Sequence, residues 1–163
     1  MLHILFLCTG NTCRSPMAEA LMKAELDNLA LPFKISVASA GLHARPGEPV
    51  SAEVMRLFKE EGLQDRLKDA SSRLSRGMIN NSDLILVMTR DHLRELLVLF
   101  PEAAGKAYLL NAYAGISDKG DIQDPIGCNI EIYSLVLKDI KEAIKKLVYK
   151  FKEEQAYEDR SRQ

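Results

Sequence analysis

The chain has 163 residues, 47% of them hydrophobic and 28% charged, with a formal net charge of -1. That length holds one core and is short for two, and that composition excludes a disordered chain. The balanced charge offers no basic surface for nucleic acid, and no apolar run is long enough to span a membrane.

Leu2–Leu7 predicts a first strand. It is too short for the apolar core of a secretory leader, has no basic segment before it and leads to no small-residue cleavage site. Pro16–Ala30 predicts a helix with Met17, Ala20, Leu21, Ala24 and Leu29 on or near one stripe. Lys34–Ser39 predicts a second strand, broken by Gly41. Val50–Glu61 predicts a helix that faces inward through Val54, Leu57 and Phe58 and stops at Gly62. Asp69–Ala70 reads as a short strand and Ser75–Asn81 as a small helix capped by Ser75. Asp83–Met88 contains Leu84-Ile85-Leu86-Val87, the run expected of a strand buried on both faces. Asp91–Phe100 predicts a helix closed by Pro101, and Ala107–Leu110 a last short strand. Ile130–Lys152 predicts a long helix with Ile132, Leu135, Val136, Ile140, Ala143, Leu147 and Phe151 at helical spacing. The tail from Glu153 to Gln163 is charged and expected to fray.

Alternating strands and helices imply βαβ units in a three-layer α/β sandwich, a parallel sheet with helices on both faces. Residues 1–163 read as one domain, without internal repeat or linker. Ligands of such sheets bind at the carboxyl ends of strands, and Cys8 sits at one. The long, acid-rich loop Asn111–Gln123 leads into Asp124-Pro125, and loops of that length are often functional.

The chemistry concentrates in Cys8-Thr9-Gly10-Asn11-Thr12-Cys13-Arg14-Ser15-Pro16. A nucleophile ends a strand, an arginine follows after five residues, then a hydroxyl, then a proline that can open a helix. Five residues can wrap into a loop whose backbone N–H groups point inward, while Arg14 forks onto two phosphate oxygens. The loop residues Thr9, Gly10, Asn11, Thr12 and Cys13 are therefore the expected phosphate cradle. Gly10 and Asn11 can take the positive φ that a tight anion loop needs. A helix starting near Pro16 adds its positive end, and the field that binds phosphate also stabilises the Cys8 thiolate. This is the C-x5-R-S/T pattern of phosphatases that work through a cysteinyl-phosphate. Asp124 is the candidate acid for the leaving group, with Pro125 stiffening its approach.

Cys8–Ser15, Ser39-Ala40-Gly41 and Asp124-Pro125, in this order over this length, resemble the low-molecular-weight protein tyrosine phosphatases. The resemblance runs from Leu2 to about Lys152. It implies a four-stranded parallel sheet, no metal and no cofactor. It implies Cys8 as nucleophile, Arg14 as phosphate clamp and Asp124 as general acid. Ser15 is implied as a donor to the thiolate, Asn11 as the residue holding the loop in a strained shape, and Ser39 as the support of Asn11.

Two departures narrow the substrate. Tyrosine-directed members usually carry an aliphatic residue at the position of Thr12 and an aromatic one after the Asp-Pro pair. Here the sequence is Asp124-Pro125-Ile126-Gly127. Cys8–Ala20, and the Asp-Pro-x-Gly followed by Ile130-Glu131-Ile132-Tyr133, look like the bacterial protein-arginine phosphatases of the same family. A guanidinium is flat and donor-rich, and it wants acceptors such as Thr12 Oγ1 and Asp124 rather than an aromatic wall. The implied partners are proteins carrying phosphoarginine, with phosphotyrosine as the alternative, and neither nucleic acid nor membrane. A phosphocarrier or anion-binding module has no need of a leaving-group acid. A thiol-dependent arsenate reductase usually needs a further cysteine pair, and no cysteine lies between Cys13 and Cys128.

An odd count of three cysteines, two in one loop, fits a reducing cytoplasm with reactive thiols. Cys13 is expected to resolve an oxidised Cys8 into a disulfide, and Cys128 to be buried. His3, His43 and His92 show no metal spacing, with His3 read as structural. Arg45 and Arg90 are read as solvated and Tyr133 as a helix-face residue. Asp69 stands where relatives often have a histidine.

Overall fold

Residues 1–29 and 33–161 are described by the computed structural model, with side chains described to Glu154. The apolar run after Met1 becomes β1 (Leu2–Cys8), the middle of the sheet. It pairs in parallel with β2 (Ile35–Gly41) on one edge and β3 (Leu84–Val87) on the other. β4 (Ala107–Leu109) extends β3, giving the all-parallel order β2-β1-β3-β4. Successive side chains of β1 point to opposite faces. Ile4, Phe6 and Cys8 belong to one core, and Leu5 and Leu7 to the other.

Helices cover both faces, so the molecule is the expected three-layer α/β sandwich. α1 (Arg14–Asp27), α2 (Ala52–Glu60) and α6 (Ile130–Ser161) close the first core with Met17, Met22, Val54, Phe58, Ile140 and Leu147. α3 (Arg76–Asn80) and α4 (Arg90–Leu99) close the second with Ile79 and Leu96. Three helix starts are capped by hydroxyls: Ser51 accepts from Val54 N, Ser75 from Met78 N and Thr89 from His92 N. The chain leaves β1 toward β2 on one edge and β3 toward β4 on the other. The two departures open a crevice at the carboxyl ends of β1 and β3.

The differences from the sequence expectations have local causes. β2 reaches Gly41, which pairs with Cys8, and ends there, two residues beyond the expected Ser39. Asp69–Ala70 forms no strand; a single bridge joins Gly41 to Arg73 instead. The first helix starts at Arg14 rather than Pro16, because Met17 N already bonds Cys13 O at 3.1 Å. Its expected last residue, Ala30, lies outside the described residues. The loop Asn111–Gln123 begins inside a short helix, α5 (Leu110–Tyr113), packed through Leu110. α6 continues past Lys152, where the helix was expected to end, to Ser161. On α6, Leu135 is 58% exposed and Tyr133 is buried, because the inward stripe runs through 133, 136, 137, 140, 144, 147, 148 and 151.

Candidate active site

The segment between β1 and α1 turns its carbonyls outward. Cys8 O accepts from Leu42 N at 3.0 Å, Thr9 O from His43 N at 2.9 Å and Thr12 O from Ser51 N at 2.9 Å. With those carbonyls bonded to neighbouring segments, the loop's N–H groups turn to the inside, and Asn11 N donates to Cys8 Sγ at 3.3 Å. Asn11 has φ of 56°, which costs a non-glycine residue about 1–2 kcal/mol. Its side chain holds it there. Nδ2 donates to Ser15 Oγ at 2.9 Å and Ser39 Oγ at 2.8 Å, and Oδ1 accepts from Ser72 N and Lys68 Nζ, each at 2.8 Å. Gly41 lies directly beneath: a Cβ on it would stand 2.5 Å from Thr9 O and 2.9 Å from Asn11 N. Only glycine lets β2 pair with Cys8 and still pass under the loop.

Cys8 is buried, and its Sγ lies 2.9 Å from Ser15 Oγ. Arg14, at the first position of α1, is buried as well. Its Nη1 donates to Ile122 O at 3.2 Å, and its Nη2 lies 3.1 Å from Asp124 Oδ2. Asp124 is 110 residues further along the chain, and its side chain keeps 45% of its exposure, facing solvent at the mouth. Its other oxygen accepts from Ile126 N at 3.2 Å, an Asx turn that sets the carboxyl's direction. The loop before it is tied to the end of β3 and the start of α4: Ile122 N donates to Met88 O and Arg90 N to Asp121 Oδ1, each at 2.9 Å. The two motifs named from the sequence thus meet in the crevice at the sheet's switch point.

Some groups at the site carry no local sequence signal. His92, nearly buried at the start of α4, has Nε2 2.8 Å from Thr9 Oγ1 and no partner for Nδ1. Burial, reinforced by the Arg14 charge, pulls it down to about 4, although Asp124, Glu95 and Asp121 act the other way. Lys68, not its neighbour Asp69, reaches the loop; Asp69 is exposed. Tyr133 is buried, with its hydroxyl 3.7 Å from Cys13 Sγ, which corrects its reading as an ordinary helix-face residue. An amphipathic stripe marks Tyr133 as inward, but nothing in the stripe names Cys13 as its neighbour. Cys13 is buried between Tyr133 and Thr12, whose Oγ1 lies 3.8 Å from its sulfur. Cys128 is half-buried rather than buried. Arg45 and Arg90 are exposed, and His43 pairs with Glu95 at 2.5 Å. His3 donates its backbone N–H to Asp83 Oδ2 at 2.8 Å. Among the described residues, no cluster of three His, Cys, Asp or Glu could hold a metal ion.

A buried thiol, a loop of inward-facing N–H groups, a buried guanidinium and a solvent-facing carboxyl meet in this crevice. The family model described as low molecular weight phosphotyrosine protein phosphatase matches residues 3–157. The chain belongs to that family. Among curated relatives of these phosphatases, a protein-arginine-phosphatase of Geobacillus stearothermophilus is 39% identical over 153 residues, 94% of this chain and 98% of that protein. A low molecular weight protein-tyrosine-phosphatase, PtpB, of Staphylococcus haemolyticus is 36% identical, covering 90% of this chain and 97% of its own. The solved structure of the YwlE arginine phosphatase from Geobacillus stearothermophilus superposes with a TM-score of 0.86 at 36% identity, over 96% of this chain and 97% of that one. The phosphatase fold, an all-parallel four-stranded sheet between helices, is shared with them.

Proposed function

We propose that this phosphatase removes phosphate from arginine side chains of proteins, as one cytoplasmic domain. The Cys8 thiolate attacks phosphorus: an S–P bond forms, the P–N bond to the guanidine nitrogen breaks, and Asp124 gives that nitrogen a proton. Asp124, now a carboxylate, takes a proton from water, which attacks the cysteinyl-phosphate and releases phosphate and the thiolate. The backbone N–H groups of Thr9, Gly10, Asn11, Thr12 and Cys13 and the Arg14 fork hold the phosphate oxygens, the Ser15 hydroxyl donates to the Cys8 thiolate, and Ser39 supports Asn11. Only protein groups and water take part in these steps. In the resting site Arg14 is paired with Asp124. Phosphate takes over the guanidinium and frees the carboxyl for the leaving group.

The observation that carries the choice of substrate is the mouth of the site. Thr12 presents a hydroxyl in the loop, and the residue directly after Asp124-Pro125 is the aliphatic Ile126, 57% exposed, rather than an aromatic one. The relative named as a protein-arginine-phosphatase supports the same reading. Rates on phosphoarginine and phosphotyrosine versions of one peptide test it. A kcat/KM ratio of at least about tenfold for phosphoarginine is expected, and a preference for phosphotyrosine would move the assignment to the tyrosine phosphatase alternative.

Cys13 adds a redox reading. Peroxide converts the Cys8 thiolate to a sulfenic acid, and the Cys13 thiol displaces water from it to form a disulfide. The oxidised protein should lose two hydrogens by intact mass and recover activity with thiol; an unchanged mass after inactivation would sink the idea.

A further inference from the structure

We propose that Lys68 is a positioning residue of this site: its ammonium fixes and polarises the Asn11 amide, so that Ser15 delivers its proton to the Cys8 thiolate. The inference rests on the reading of Cys8 as the nucleophile. Lys68 is half-buried before α3, and Nζ lies 2.8 Å from Asn11 Oδ1, 2.9 Å from Ser39 O and 3.2 Å from Ser72 Oγ. An ammonium has three protons, and all three are committed to neutral acceptors at the site. Burial holds this lysine below its ordinary value, with Lys23 adding to the lowering and Glu19 and Cys8 opposing it.

The consequence is a direction. An amide's oxygen and nitrogen have nearly the same shape, so Asn11 could occupy its slot in two ways. Flipped, it would set its NH2 against the Lys68 ammonium and the Ser72 N–H, donor against donor. Only one orientation survives, and it sends both Nδ2 protons to Ser15 Oγ and Ser39 Oγ. Ser39 passes its own proton to Glu19 Oε2 at 2.5 Å, and the buried Glu19 is balanced by Lys23. Ser15, already accepting from Asn11, has one proton left and two acceptors, Cys8 Sγ at 2.9 Å and Ala40 O at 3.3 Å. A charge-assisted bond is about twice as strong as a neutral one, so the thiolate receives the proton. The donor chain from Lys68 through Asn11 and Ser15 therefore ends on the nucleophile, while the branch through Ser39 ends on Glu19.

Lys68→Met removes the cation but leaves the Ser72 N–H on Asn11 Oδ1, so the loop keeps one of its two anchors. The experiment compares wild type, Lys68→Met, Lys68→Arg and Lys68→Gln, each alone and with Asn11→Gly, a residue that tolerates the positive φ. Three quantities are read: the rate of Cys8 alkylation by iodoacetate from pH 5 to 9, kcat and KM on a phosphoarginine peptide, and the thermal midpoint. Losing a hydrogen bond to a charged group predicts a fall of about ten- to a hundredfold in alkylation rate at pH 6 and in kcat for Lys68→Met, with the alkylation profile moved to higher pH and KM changed less. Lys68→Arg should recover most of this, and Lys68→Gln should fall between. In the Asn11→Gly background the same substitution should cost less than about threefold, since the route through the amide is already gone. A profile that superimposes on wild type, or an undiminished loss in the Asn11→Gly background, would overturn the proposal. If Lys68→Met does not fold, Lys68→Gln carries the same comparison. Phosphatase activity surviving in Cys8→Ser would instead overturn the nucleophile reading, whatever Lys68 does.

Discussion

The Asp124 carboxyl and the Thr12 hydroxyl are the groups at which the proposed chemistry is easiest to break selectively. Asp124→Asn keeps a side chain that can accept from Ile126 N but has no proton to give. Its kcat should fall by roughly 10²- to 10⁴-fold on a phosphoarginine peptide, the range for a missing general acid. An aryl phosphate with an activated leaving group needs little protonation and should suffer less. Equal losses on both substrates would mean that Asp124 binds substrate rather than protonating it. Thr12→Ile removes a hydroxyl that can meet a guanidinium and adds apolar surface for a ring. The kcat/KM ratio of phosphoarginine to phosphotyrosine should drop about ten- to a hundredfold, since one hydrogen bond to a charged group is worth roughly 1.5–3 kcal/mol. An unchanged ratio would remove Thr12 from substrate selection.

Between β1 and β2 the pairing of Cys8 with Gly41 sets how the loop sits on the sheet. Gly41→Ala would force its Cβ to within 2.5 Å of Thr9 O, a backbone atom that cannot swing aside. Overpacking of this kind costs about 1–3 kcal/mol. The strain falls on the phosphate loop, so Cys8 alkylation and kcat should fall together with the midpoint of denaturant unfolding. Wild-type kinetics in a folded Gly41→Ala protein would show that the loop does not need this close approach. At the other end of the loop, Ser51 caps α2 through its side chain and holds Thr12 O with its backbone N–H. Ser51→Ala deletes only the cap and should cost about 1 kcal/mol of stability with little change in kcat, because the N–H remains.

Across the whole molecule, the buried titratable groups at the crevice make stability depend on pH. His92 is held at about 4 in the folded chain against 6.5 when unfolded. Above pH 6.5 both states carry it neutral, and the full stability is present. As pH falls from about 6.5 to about 4, the unfolded chain takes up a proton that the folded one refuses, and stability is lost. His92→Asn should therefore flatten the fall in thermal midpoint between pH 7 and pH 4.5. A slope identical to wild type would mean that His92 charges freely in the fold. On the alkaline side Lys68 has the same direction of shift, so raising pH toward 10.5 relieves its burial while switching off the ammonium that orients Asn11. Activity should decline at high pH before stability does.

Much of this molecule was legible in the linear chain because the determinants are local. Leu84-Ile85-Leu86-Val87 reads as a doubly buried strand from its own composition, and it is one. Cys8 and Arg14 are six residues apart, a spacing at which one loop can serve both, and the motif carries its chemistry with it. Asp124 was readable as an acid only beside that motif; its 3.1 Å approach to Arg14 comes from the tethers of its loop to Met88 and Arg90. The rest was decided in three dimensions. Gly41 read as the stop of β2, where the strand does end, but that the close passage of another backbone requires glycine there is seen only in the fold. Lys68 carried no signal in the sequence and His92 only the absence of a metal spacing, since a hydrogen bond across 57 or 83 residues leaves no periodicity to read. Local pattern specifies which segments are strands and helices and which loop carries the Cys8–Arg14 motif. Which distant side chains close around that loop depends on the order β2-β1-β3-β4, which brings the ends of β1 and β3 side by side.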